Sequence, residues 1–122
     1  MKLNNLQVPT YDLDTSVEFY ERFFGFKKMS EEDGETFLVR KDDEDGFLLA
    51  LFPVEKGTEP LKWLHFGFIV DTIEEVREKY AALEFAGVKF GMTYLDGDDM
   101  AAFYTLDPRS GNRIEVGCYS PK

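Results

Sequence analysis

The sequence predicts an α+β fold built from two tandem βαβββ modules. Three observations predict it. The 122 residues are one domain's length, and such a domain buries roughly two-thirds of its unfolded surface. Segments of strand period and helix period follow one another in the same order twice. The two runs also align without gaps at their starts: Leu13 falls on Ile73 and Tyr20 on Tyr80, a shift of 60 each time (73 − 13 and 80 − 20). Towards the far ends the shift becomes 65, with Gly46 on Gly111 and Ala50 on Glu115. Internal duplication is the economical source of such matches.

In the first module, approximately residues 1–52, "LQVP" (6 to 9) reads as a short strand. "DLDTSVEFYERFFGF" (12 to 26) follows as an amphipathic helix, with Leu13, Val17, Tyr20 and Phe24 on one face and Gly25 as the residue that ends it. "ETFLVR" (35 to 40) and "GFLLALF" (46 to 52) read as strands, and the acidic runs "SEEDGE" (30 to 35) and "RKDDEDG" (40 to 46) as turns. The Pro- and Gly-bearing stretch 53–62 reads as a linker. In the second module, approximately 63–122, "HFGFIV" (65 to 70) is a strand, and Thr72 with Glu75 forms a capping box opening a helix with Ile73, Val76, Tyr80 and Leu83 on its face. Gly87 ends that helix. After "GVKFG" and a polar loop, "MAAFYTL" (100 to 106) and "NRIEVGC" (112 to 118) are strands, joined by the turn "DPRSG".

Composition narrows the function classes. Hydrophobic residues make up 43% and aromatic residues 16% of the chain, which places it among compact globular proteins rather than disordered ones. The formal charge of −10 would repel phosphate backbones, so nucleic acid is disfavoured as a partner. The acidity reads first as solubility and second as attraction of a cationic ligand. No apolar run approaches the about 18 residues of a membrane span, and the N-terminal residues lack a signal-peptide pattern. With a single cysteine, Cys118, no internal disulfide is possible, and the cytoplasm is the expected compartment.

The repeated order, with "DLDTSVEFYERFFGF" in the first half and "FYTLDPRSGNRIEV" in the second, resembles the vicinal oxygen chelate superfamily over nearly the whole chain. That group includes glyoxalase I, fosfomycin-resistance proteins, extradiol dioxygenases and bleomycin-binding proteins. The resemblance implies curved sheets enclosing a cavity, with metal ligands on the first and last strands of each module. Those positions correspond to Asn5, Ala50, His65 and Glu115. Two of the four depart from the family's donors: Asn5 is a neutral amide and Ala50 donates nothing. A bound metal is therefore not expected, although a divalent ion on His65 and Glu115 is possible.

Strand alternation places Phe66, Phe68 and Val70 towards a helix and His65, Gly67 and Ile69 on the opposite side. Ile114, Val116 and Cys118 likewise face a helix, leaving Arg113, Glu115 and Gly117 opposite. His65 is then either a ligand-side group or a hydrogen-bonded structural histidine. Glu115, flanked by apolar residues, requires a partner: Arg113, His65, a metal ion or solvent. The expected lining is Asn5, Gln7, Leu48, Ala50 and Phe52 from the first module, and His65, Gly67, Met100, Ala102, Tyr104 and Glu115 from the second. Mostly apolar with a few convergent polar groups, this set has a small-molecule pocket's composition, and its small residues favour a pocket over a filled core.

The leading expectation is a small-molecule binding protein similar to bleomycin-binding members, taking an apolar or aromatic ligand. The alternative is a divalent-metal-dependent lyase, isomerase or dioxygenase using His65 and Glu115 with Asn5 or water. A purely structural interaction module is the third class. The resemblance also implies a homodimer, since members commonly pair modules across two chains.

Overall fold

The computed structural model describes residues 1, 3, 5–40, 46–60 and 64–121. Residues 41–45 of the second acidic run and 61–62 of the expected linker lie outside that set. The chain forms two compact units, Met1–Glu59 and Pro60–Lys122.

The first unit contains β1 (Asn5–Thr10), α1 (Leu13–Phe24), β2 (Phe26–Glu32), β3 (Glu35–Arg40) and β4 (Leu48–Pro53). Its sheet has the order β1-β4-β3-β2, with β1 parallel to β4 and the other pairs antiparallel. Asp12 starts α1, its carboxylate accepting from the Thr15 backbone N–H at 3.2 Å and from the Thr15 hydroxyl at 2.8 Å. Gly25 stops it in the left-handed conformation (φ 71°), where its N–H reaches the carbonyl of Tyr20. The buried face of α1 is Ser16, Phe19, Tyr20, Phe23 and Phe24, turned from the expected stripe, with Leu13 and Val17 only half-buried. Aromatic bulk decides this rotation. Phe19 meets Tyr20, Phe23 and Phe24 at ring distances of 5.2, 5.6 and 5.6 Å, and each fully buried ring contributes about 1.5–3 kcal/mol. Beneath the rings lie Val8, Leu38, Leu49 and Leu51, and a buried Thr10–Ser16 hydroxyl pair at 2.7 Å ties β1 to α1.

The second unit repeats the plan with β5 (His65–Ile69), α2 (Ile73–Phe85), β6 (Phe90–Asp96), β7 (Ala101–Leu106) and β8 (Arg113–Cys118), in the order β5-β8-β7-β6. The Thr72 hydroxyl accepts from the Glu75 N–H at 3.1 Å, the N-cap half of a capping box, and donates to the Glu75 carboxylate at 3.2 Å. Ile73, Val76 and Leu83 are buried against Ala101, Phe103, Ile114, Val116 and Cys118 on the helix side of the sheet. Tyr80, half-buried, stacks on Phe90 at 4.3 Å. In the 107–111 turn Gly111 has φ 74° and donates to the carbonyl of Asp107 at 2.8 Å.

Two strands lie where loop was expected. β2 takes in Ser30–Glu32 of the first acidic run, leaving Asp33 and Gly34 as the turn, and β6 occupies most of the polar stretch after Gly91. Both are outermost strands, both carry a bulge, and β2 exposes Lys27, Lys28 and Glu31. A sheet margin needs no apolar alternation, and charge there discourages pairing with other chains.

Strand register agrees with the two shifts read from the sequence. Asn5 pairs with Leu48 and His65 with Arg113, so taking Asn5 as the counterpart of His65, a shift of 60 (65 − 5), gives 65 on the last strand (113 − 48). Gln7–Ala50 and Gly67–Glu115 are equivalent pairs for the same reason. Among the described residues, no helix is long and apolar enough to cross a membrane.

Candidate functional site

The sheet face of the second unit that turns away from α2 gathers the polar groups. One row across the four strands reads Gly67, Glu115, Tyr104, Gly91, and the next reads Ile69, Gly117, Ala102, Leu95. Glycine at 67 is sterically required. A Cβ there would stand 2.7 Å from the Cβ of Glu115 and 2.8 Å from its carbonyl oxygen. The absence of a side chain at 67 also lets His65, two residues back on the same face, approach its neighbours. His65 Nε2 lies 3.4 Å from Glu115 Oε2, and its ring meets Tyr104 edge-on at 5.1 Å and 88°.

Glu115 has a partner that alternation within the strands did not reveal. The hydroxyl of Tyr119 donates to Glu115 Oε1. Tyr119 is the first residue after β8, and its ring lies over Gly117, where a Cβ would come within 2.7 Å of Cε2. Period two continued past the strand end, from Glu115 through Gly117 to 119, is the signal that could have found it. The bond to Glu115, burial and the charge of Glu115 together push the Tyr119 hydroxyl up to about 12, so it stays protonated and donating at neutral pH. The Glu115 side chain is 15% exposed and that of His65 41%, which makes the carboxylate the shielded element of the pair.

In the first unit, Asn5 and Gln7 on β1 adjoin Leu48 and Ala50 on β4, with Phe52 next along the strand. Gln7 donates from Nε2 to Glu35 Oε1, adding Glu35 to that face; it shares parity with Phe37, which pairs with Ala50. Ala50 and Ala102 are buried. Larger residues flank them: Gln7 and Phe37 beside Ala50, and Leu95 and the Tyr119-covered Gly117 beside Ala102. Met100 lies just before β7 and accepts at its carbonyl from Gly97. A cleft of about 260 Å³ elsewhere in the first unit is lined by Leu13, Asp14 and residues 31–36. It is acidic and below the usual size of a small-molecule site.

The donor set does not fit the metal centre that the family resemblance implies. Among the described residues, no three of His, Cys, Asp and Glu converge to hold an ion. The second unit offers one imidazole and one carboxylate, and one oxygen of that carboxylate already accepts from Tyr119. Of the corresponding first-unit positions, Asn5 is a neutral amide and Ala50 has no donor. Cys118 is buried on the helix side.

The family model "Glyoxalase/Bleomycin resistance protein/Dioxygenase superfamily" matches residues 2–116. A probable trivalent organoarsenical cleaving enzyme of Bacillus subtilis (strain 168) is 29% identical over 121 residues, covering 86% of this chain and 81% of that protein. A possible glyoxalase from Bacillus cereus superimposes with a TM-score of 0.79 at 26% identity, covering 97% of this chain and 99% of that one. The fosfomycin resistance protein FosX of Listeria monocytogenes has the same fold, with a TM-score of 0.79 at 16% identity over 97% of this chain and 93% of its own. FosX has also been crystallised with Mn(II) and sulfate.

Proposed function

The chain belongs to the Glyoxalase/Bleomycin resistance protein/Dioxygenase superfamily, and from that premise we propose that it is a small-molecule binding protein. The ligand is apolar or aromatic, and the observation that carries the reading is the convergence of Glu115, His65 and Tyr119 between glycines on one sheet face. Directional polar groups beside rings and bare backbone suit a flat ligand anchored at one end. Tyr104 supports the same use, standing beside Glu115 in register and against His65. Asn5, Gln7, Leu48, Ala50, Phe52, Met100 and Ala102 complete the proposed binding set. We place the protein in the cytoplasm, a setting that suits a chain whose single cysteine is unpaired.

The competing reading, a divalent-metal-dependent lyase, isomerase or dioxygenase, draws on the closeness of His65 to Glu115. The donor chemistry weighs against it. Cleavage of organoarsenicals is not carried over from the Bacillus subtilis relative: trivalent arsenic is a soft, thiol-seeking centre, and the only cysteine is buried.

Elemental analysis of the purified protein alongside a thermal-shift screen of aromatic compounds tests the proposal. We expect far less than one metal ion per chain, and stabilising compounds whose effect is lost in His65→Ala and in Glu115→Ala. About one tightly held ion per chain, lost in both variants, would overturn the binding-protein reading in favour of the metalloenzyme.

A further inference from the structure

The Tyr119 side chain occupies space that the backbone leaves open. Its ring fills the volume a side chain at 117 would take, with the hydroxyl 3.3 Å and Cε2 2.7 Å from the place of that missing Cβ. The hydroxyl is spent on Glu115, a shielded carboxylate. Yet no strand pairing holds residue 119, and 46% of it is exposed. An aromatic hydroxyl therefore rests on a glycine floor, against an acceptor, on a side chain that two torsions can carry into solvent.

We propose that Tyr119 is an internal occupant of the ligand site, displaced by a neutral aromatic hydroxyl compound whose ring lies over Gly117 and whose O–H donates to Glu115 Oε1. This rests on the binding-protein reading above and gives its ligand a chemical class. The exchange conserves hydrogen bonds, since one phenolic O–H replaces another and the released Tyr119 hydroxyl meets water. An anionic ligand is refused because Glu115 already carries the negative charge. Affinity for an outside ligand is lowered by the fraction of molecules in which Tyr119 is home, so removing the ring raises it.

The experiment is a calorimetric titration of the full chain with p-cresol, with toluene and p-methylanisole as analogues lacking the donor. Wild type is compared with Tyr119→Ala and with the Tyr119→Ala/Gly117→Ala double variant. We expect Tyr119→Ala to bind p-cresol about tenfold or more tightly than wild type, and to prefer it to both analogues. The added methyl at 117 stands where the ligand ring would lie, so the double variant loses the gain. If circular dichroism shows Tyr119→Ala unfolded, Tyr119→Ser serves in its place. Equal p-cresol affinity in wild type and variant, or equal affinity of the variant for p-cresol and toluene, overturns the displacement and leaves the binding-protein reading standing. Failure of every probe to bind any of the proteins overturns both.

Discussion

At Gly67 and Gly117 the same missing atom has different consequences. A Cβ at 67 would press on the carbonyl oxygen and Cβ of Glu115, which the parallel ladder holds in place, whereas a Cβ at 117 would meet the far end of the Tyr119 ring. Gly67→Ala is therefore expected to cost about 1–3 kcal/mol, and Gly117→Ala less than about 1 kcal/mol because the ring can turn away. Urea unfolding of the two variants checks the order. The Tyr119 hydroxyl provides a pH test. Its folded value lies above the ordinary 10.0, at about 12, so its stabilising effect is complete below about pH 10 and is lost as pH rises through about 12. The melting temperature of wild type should exceed that of Tyr119→Phe up to about pH 10, with the two converging by about pH 12. A difference unchanged across that window would contradict the bond to Glu115. Sequence alone made His65 and Glu115 legible as neighbours on one face, because period two is rigid within a strand. It did not reveal Tyr119 or Glu35, since the predicted alternation stops with the strand end at Cys118 and a carboxylate closing an acidic run carries no sign of a partner.

Among the elements, the helices were the most legible and the outer strands the least. The ends of α1 and α2 are fixed by local chemistry at Asp12, Gly25 and Thr72, and such chemistry is written in adjacent residues. The two N-caps differ in shielding. Asp12 holds both the N–H and the hydroxyl of Thr15 in a half-buried setting, while Thr72 is bonded to Glu75 in the open. Asp12→Ala should cost about 1–2 kcal/mol and Thr72→Ala about 0.5–1 kcal/mol, again measured by urea unfolding. The reverse order would mean that shielding does not strengthen the Asp12 cap. β2 and β6 were hidden because strand existence is signalled by burial, and strands at the margin of a sheet bury little. The turned stripe of α1 has a related cause: spacing identifies an apolar face, but the size of the side chains chooses which part of it faces inward.

At the scale of the whole molecule, the duplication was readable and the chemistry only partly so. Two numbers, 60 and 65, carry the first half onto the second at either end of the fold, and the sheet register reproduces the difference between them. The open face of the second unit leaves Ile69 69%, Leu95 49% and Tyr119 46% exposed. Apolar surface of this kind favours association, and sedimentation velocity is expected to give twice the mass of the chain. A single-chain mass at micromolar concentration would refute the dimer. The equivalent pairs Gln7–Ala50 and Gly67–Glu115 have a consequence for how the halves can diverge. In one the long polar residue stands on the first strand and the small one on the last; in the other the order is reversed. The atoms that bar a side chain at 67, the Cβ and the carbonyl oxygen of residue 115, remain when Glu115 becomes alanine. Glu115→Ala therefore does not rescue Gly67→Gln, and urea unfolding should show the double variant costing at least as much as Gly67→Gln alone; recovery in the double variant would contradict the fixed ladder. Trading these two side chains cannot turn the second half's pair into the first's, because the strands themselves would have to stand further apart at that rung.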